Sequence, residues 1–212
     1  MEAFTSKGTE ILFGGAAGGG KSFFIRGLAM SMAYDCPGIQ IYLFRRAFPD
    51  LEKNHIHGEN GLLSMMNDWF KTGFVTYNAS KHIFNFANGS TIFLCHLGSK
   101  RDLQNYQGAE MHILLVDEAG QFEEDEYRYL RARVRLGGWS PPDRWKYKLP
   151  LTLLSANPGG IGHMWLRDGF VTSRPPMEIE RMPAIEGGML RQYIPARLSY
   201  ALVIVAIITI TF

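Results

Sequence analysis

A chain of 212 residues with 46% hydrophobic content carries enough apolar material to close one packed core, which excludes a wholly disordered polymer. Lys plus Arg (22) nearly balances Asp plus Glu (20), for a formal charge of +2, so overall charge announces neither a nucleic-acid nor a membrane partner and any basic surface is local. Cys36 and Cys95 lie far apart and off any metal-ligand spacing, and read as reduced thiols in a cytosolic setting.

Met1 to Glu10 is polar and lacks the apolar stretch of a secretory signal. Glu10 to Phe13 then reads as a short apolar strand, and Gly14 to Phe23 follows as GGAAGGGKSF. Lys21 to about Tyr34 places Phe24, Leu28 and Met32 at helical spacing, and Ile39 to Phe44 is a second buried strand after the turn Pro37-Gly38. A helix between two strands makes a right-handed crossover the default, and with it a parallel sheet.

Further along, Leu62 to Lys71 reads as a helix, while His82 to Phe86 and Ser90 to Leu94 flank Ala87-Asn88-Gly89 as a β-hairpin. His112 to Val116 is a continuous apolar strand ending in Asp117-Glu118, and Glu123 to about Leu136 is a charged helix closed by the loop Gly137 to Pro142. Leu149 to Leu154 is another buried strand, ending in Ser155-Ala156-Asn157-Pro158. Several strands thus stop in polar residues at their C-terminal ends, where open α/β sheets place ligands. Tyr200 to Phe212, YALVIVAIITITF, is uncharged but shorter than a membrane span of about 20 residues; its β-branched residues also suit a buried terminal strand, although it neither alternates nor carries a turn signal.

Gly15-Ala16-Ala17-Gly18-Gly19-Gly20-Lys21-Ser22 satisfies G-x-x-x-x-G-K-[ST] and sits between a strand and a helix, as that motif requires. Glycine lets backbone N–H groups converge without an obstructing Cβ. The motif therefore predicts a phosphate cradle, with Lys21 on the β- and γ-phosphates and Ser22 on Mg²⁺. Asp117 arrives at the sheet edge as a second metal-holding group, acting through water, and Glu118 as the residue that orients and deprotonates the attacking water. Ser155, Ala156 and Asn157 have the chemistry to sense the γ-phosphate, or simply to cap a turn before Pro158-Gly159-Gly160.

Arg128, Arg131, Arg133 and Arg135 fall within the expected charged helix, and Arg45-Arg46 follows the second strand. Arg133, Arg135 and Arg45 are candidates for an arginine finger, against the alternative that helix arginines pair with Glu123, Glu124, Asp125 or Glu126. His55-Ile56-His57 lacks a third ligand at metal spacing, and His163 reads as a helix-start residue.

In order along the chain, EILFGGAAGGGKS, LFRRAFPDL, NGSTI, YQGAE, LLVDEAGQF, YRYLRARVR and SANPGGIGHMWLRDGF resemble the ATPase domain of the large terminase subunit, the DNA-packaging motor of tailed bacteriophages. The resemblance spans about residues 3–197 and is most specific in SANPGG-x-GH-x-W. It implies an α/β P-loop NTPase fold of ASCE type, with a mainly parallel central sheet flanked by helices and a β-hairpin insertion. It also implies ATP and Mg²⁺ as cofactors, double-stranded DNA, a portal protein and a small terminase subunit as partners, a homo-oligomeric ring, no membrane, and the host cytoplasm as location, transiently at the prohead portal. Ser155 to Asn157 becomes the motif that couples hydrolysis to DNA movement.

Three departures qualify this. The family usually carries an adenine-reading glutamine motif just upstream of the first strand, and this sequence opens at Met1-Glu2-Ala3-Phe4, just past that point, which leaves base selectivity open; the RNase H-like nuclease has no room, so no nuclease activity is expected. Residues 1–197 read as the ATPase domain and 198–212 as an apolar tail replacing the polar continuation at about Ser199. The competing readings are another P-loop DNA-dependent ATPase of helicase type, and a truncated nucleotide-binding remnant that acts only in assembly.

Overall fold

The computed structural model describes residues 6–15 and 20–196. Strands β1 (Glu10–Gly14), β2 (Gln40–Arg45), β3 (Val75–Asn78), β4 (Ile83–Phe86), β5 (Thr91–His96), β6 (Ile113–Val116), β7 (Leu151–Ala156), β8 (Ile179–Arg181) and β9 (Leu190–Pro195) form one nine-stranded sheet in the order β3-β4-β5-β2-β6-β7-β1-β9-β8. From β5 to β9 every neighbouring pair is parallel. The outer pairs β3/β4, β4/β5 and β8/β9 are antiparallel.

The alternation of side chains along each strand divides the core into two layers. Ile11, Phe13, Ile41, Leu43, Ile113, Leu115, Leu151 and Leu153 point to one face and pack with Phe24, Ile25, Leu28 and Met32 of helix α1 (Lys21–Asp35). Leu12, Phe44, Leu114, Val116 and Leu154 point to the other, where they meet Phe122, Tyr127, Leu130, Leu166 and Phe170. Both faces are covered, which is why the central strands read as unbroken apolar runs.

Between β2 and β3 the chain forms α2 (Phe48–Leu51), a wide turn over Glu52–Ile56, α3 (Leu62–Met65) and α4 (Asn67–Lys71). The helix expected over 62–71 is thus interrupted at Met66, whose backbone leaves the helical region at φ −101°.

A larger correction concerns the charged helix. It ends as α5 (Glu124–Arg131) rather than near Leu136. Arg133 and Arg135 leave it because Val134 forms a bridge with Met111, whose N–H bonds Arg133 O at 3.0 Å and whose carbonyl accepts from Arg135 N at 3.0 Å. The terminal carbonyls of α5 are satisfied by a tightened last turn, including Arg133 N to Leu130 O at 2.9 Å. A short helix after β7, α6 (His163–Leu166), starts at His163 as expected, with His163 Nδ1 accepting from Gly159 N at 3.2 Å. Strands β3, β8 and β9 lack a clear alternation in the sequence and emerge only in the fold. The apolar tail at 198–212 lies outside the described residues, among which no helix is long and apolar enough to cross a membrane.

Candidate functional site

Four strands deliver polar groups to one edge of the sheet. β1 runs into Gly15, β2 ends in Arg45, β6 hands over to Asp117-Glu118, and β7 to Ser155-Ala156-Asn157. A cleft of about 430 Å³ opens there, lined by Gly20, Lys21, Ser22, Arg26, Arg45, Asn54, Asp117, Glu118, Ser155 and Asn157 among others. The cradle residues expected at 16–19 lie outside the described region. Gly15 N bonds Ala156 O at 3.2 Å, so Ala156 backs the entrance of the glycine loop. Gly20 is left-handed at φ 69° and turns the chain into α1, whose first residues are Lys21 and Ser22.

Asp117 is the hub. It is 1% exposed, and its two oxygens meet groups from four separate elements. Ser22 Oγ donates at 3.2 Å to Oδ1 and 3.0 Å to Oδ2, across 95 residues of sequence. Ser155 Oγ donates to Oδ1. Arg45 Nε lies 3.1 Å and His55 Nε2 2.9 Å from Oδ2. Burial alone would favour the neutral acid, but the hydrogen bonds from His55 and Ser155 and the Arg45 charge outweigh it and hold Asp117 well below the usual carboxylate range.

Glu118 is more open, with a side chain 36% exposed that pairs with Arg45 Nη2 at 2.5 Å and accepts from Gln121 Nε2 at 2.5 Å. Its backbone is left-handed (φ 57°, ψ 49°) and its N–H donates to Ser155 Oγ at 3.2 Å. A non-glycine residue in that region costs on the order of 1–2 kcal/mol, and here the turn separates the Glu118 carboxylate from the buried Asp117. Burial lowers the Lys21 pKa, an effect that Asp117 and Glu118 oppose, and Lys21 Nζ donates to Gly15 O at 3.1 Å.

The loop after β7 explains its own glycines. A Cβ on Gly160 (φ +83°) would stand 2.3 Å from Gly120 O, and one on Gly162 2.5 Å from Phe122 O. Backbone therefore packs on backbone between Asn157–Gly162 and the turn that follows Glu118, closed by Gly162 N to Gly120 O at 2.8 Å.

Two groups, one lining the cleft and one buried behind Asp117, escape a reading of the sequence. His55 stands out there only as a possible metal ligand, yet it is fully buried against Asp117. Its neighbour Ile56, apolar in the segment that leaves the Arg45 sheet edge, is the available signal. Burial lowers the His55 pKa, against the opposing pull of Asp117. Arg26 lies one turn beyond Ser22 on the same face of α1. It is 6% exposed and donates from Nη1 to Asn54 O at 2.5 Å.

Of the three finger candidates, only Arg45 is in the cleft. Arg133 stacks over Tyr129 at 4.1 Å and Arg135 pairs with Glu110 at 3.8 Å. Both flank Met111, at the far end of β6 from Asp117, which at about 3.3 Å per residue places them about 20 Å from this chain's cleft. Arg128 and Arg131 pair with Glu124 at 2.8 Å and Glu10 at 3.0 Å.

The site's oxygen chemistry suits a hard cation such as Mg²⁺. Ser22 spends its hydrogen on Asp117 and keeps its lone pairs for a cation, while both Asp117 oxygens are already engaged, so that residue would act through metal-bound water. Groups of three or more His, Cys, Asp or Glu able to hold a metal by themselves are absent among the described residues.

Residues 12–154 match the family model described as terminase large subunit, T4likevirus-type, N-terminal. The chain belongs to the terminase large subunit family. Among solved structures, this family member is similar to the large terminase of a thermophilic bacteriophage, with a TM-score of 0.63 at 13% identity over 93% of this chain and 42% of that one. The same thermophilic phage protein in complex with ATP-gamma-S gives a TM-score of 0.60 at 13% identity over 93% of this chain and 42% of that one. The N-terminal domain of the DNA packaging ATPase from bacteriophage phi29 matches with a TM-score of 0.52 at 12% identity over 94% of this chain and 96% of that one. At these identities the likeness is one of fold, a mixed α/β architecture around a large, mostly parallel sheet. The chain spans less than half of the thermophilic phage protein. No curated protein matches it at a significant level.

Proposed function

We propose that this terminase chain hydrolyses Mg²⁺-ATP to drive double-stranded DNA into a phage prohead, with residues 1–197 as the ATPase domain. The observation that carries the reading is the Ser22–Asp117 contact across 95 residues, which joins the glycine loop's helix to the acidic strand end in one cleft. A strand, β7, stands between β1 and β6, and this inserted strand together with a glutamate after the aspartate supports the ASCE-type P-loop assignment.

In this reading Gly15 to Ser22, including Ala16, Ala17, Gly18 and Gly19, cradle the phosphates, and Lys21 takes the β- and γ-phosphates. Ser22 and Asp117 hold Mg²⁺, which when bound neutralises charge on the phosphates. Glu118 takes a proton from the attacking water, and the nearby Arg45 and Gln121 set the position of its carboxylate. Ser155 to Asn157 pass the loss of γ-phosphate to the glycine-packed loop at 157–162. The ATP-gamma-S and ADP complexes of the thermophilic phage terminase support a nucleotide as the ligand. A portal protein, a small terminase subunit and a homo-oligomeric ring complete the proposed motor, which acts in the host cytoplasm at the prohead.

The test is ATP hydrolysis by the chain with and without double-stranded DNA. DNA-stimulated turnover lost in both Lys21→Ala and Glu118→Gln supports the reading, with Glu118→Gln retaining nucleotide binding and losing about 10²–10⁴ in rate. Turnover that survives both substitutions sinks it.

A further inference from the structure

We infer that His55 is a positioning residue for the cation site at Asp117, an inference that rests on the nucleotide-site reading above. A carboxylate swings about its Cβ–Cγ bond unless donors pin both oxygens. Here Arg45 arrives from β2, Ser155 from β7 and Ser22 from α1, while His55 arrives from the turn Glu52–Ile56, which belongs to none of them. Its Nε2 stands 2.9 Å from Asp117 Oδ2 and its ring is wholly buried.

The turn that carries it is itself braced. Leu51 and Ile56 are fully buried on either side, and Arg26 Nη1 grips Asn54 O from α1, the helix that also presents Ser22. Through Arg26 on one side and His55 on the other, the turn therefore connects α1, which carries Ser22, to Asp117. His55 Nδ1 and Arg26 Nε are both buried, and each lacks a hydrogen-bond partner among the described residues. A histidine kept only for packing gains nothing from an unpaired ring nitrogen, since an apolar side chain of similar volume would avoid it.

Outer partners of metal ligands commonly change metal affinity by about 10–100-fold when removed. The experiment compares His55→Gln, whose amide nitrogen reaches the Nε2 position, with His55→Asn, which falls short of it. Free Mn²⁺ is followed by electron paramagnetic resonance as it is titrated into the full chain with ADP, and ADP binding is measured separately without metal. We expect the half-saturating Mn²⁺ of His55→Asn to rise about tenfold or more, His55→Gln to stay near the unsubstituted chain, and metal-free ADP binding to be unchanged in both. Equal Mn²⁺ binding by the two amides, whether both intact or both weak, overturns the role. So does a matching fall in metal-free ADP binding, or a His55→Asn chain that does not fold beside a His55→Gln chain that does. An unsubstituted chain that binds no ADP at all removes the nucleotide-site reading and this inference with it, whereas ADP binding indifferent to Mn²⁺ overturns the cation site alone.

Discussion

Arg45 bridges both acidic residues at the end of β6, with Nε 3.1 Å from Asp117 Oδ2 and Nη2 2.5 Å from Glu118 Oε1. The two contacts differ in weight. The Asp117 pair is buried, so Arg45→Ala leaves a desolvated carboxylate without its guanidinium and is expected to cost about 3–5 kcal/mol in urea unfolding. The Glu118 contact is half open to solvent and contributes position more than stability. Arg45→Lys keeps a charge but not the two-pronged geometry. It should unfold within about 2 kcal/mol of the parent while losing turnover, and a lysine variant with full turnover would show that the bridge does not set Glu118.

Ser155 touches both acids by opposite roles, donating to Asp117 Oδ1 and accepting from Glu118 N. Ser155→Ala removes both and leaves the Glu118 N–H unpaired in a left-handed turn. We expect a loss of about 1–3 kcal/mol in stability and a fall in turnover, with Ser155→Thr restoring most of each. Chemical denaturation and steady-state rates measured on the same preparations check this. Equal rates for alanine and serine would place Ser155 outside the coupling of the two strand ends.

Gly160 offers a test of coupling at a residue that does not itself line the cleft. Its φ of +83° and the 2.3 Å approach of a Cβ to Gly120 O mean that Gly160→Ala must push the loop off the turn after Glu118. Nucleotide binding should persist while turnover falls, and the ratio of DNA-stimulated to basal rate is the sensitive readout. An unchanged ratio would separate this loop from the response to DNA.

These contacts show which parts of the molecule are legible in its sequence. Apolar runs at β1, β2, β6 and β7 are readable because both sheet faces are covered, so the strands lack polar interruptions. Lys21, Ser22, Asp117 and Glu118 are readable because local spacing imposes their placement at a strand end or helix start. His55 and Arg26 are not, because their roles come from the folding of the Glu52–Ile56 turn onto α1, a contact without local periodicity. The end of α5 is hidden for a related reason. YRYLRARVR has helical composition throughout, and only pairing of Val134 with the distant Met111 stops it, a tertiary override of propensity.

Asp117 should shape the acid limb of stability. Its pKa is lowered in the folded chain from an ordinary value of 3.8, so the unfolded chain binds the proton more readily as pH falls. The stabilisation is fully present above about pH 5 and is lost progressively below about pH 4, as protons populate the unfolded state. Asp117→Asn lacks this contribution. Its unfolding free energy should vary less between about pH 5 and pH 2.5 than that of the parent, and parallel curves would show that Asp117 is not held below its ordinary range.

Lys148 predicts a rise of stability with pH in a separate, higher range. It is buried, donates to Ser6 O at 2.8 Å and Gly8 O at 3.2 Å, and burial lowers its pKa from 10.5 to about 7. Between those two values the unfolded chain carries a proton that the folded chain has released, so stability from this group rises with pH, by at most about 1.4 kcal/mol per unit. A neutral amine still donates to both carbonyls, so the rise does not sacrifice the bonds that hold the entry into β1. Lys148→Met removes the titration. The stability of the parent relative to Lys148→Met should therefore increase from about pH 7 to pH 9 in urea titrations, whereas a difference that is constant or shrinks over that range would mean the ammonium stays charged in the folded protein.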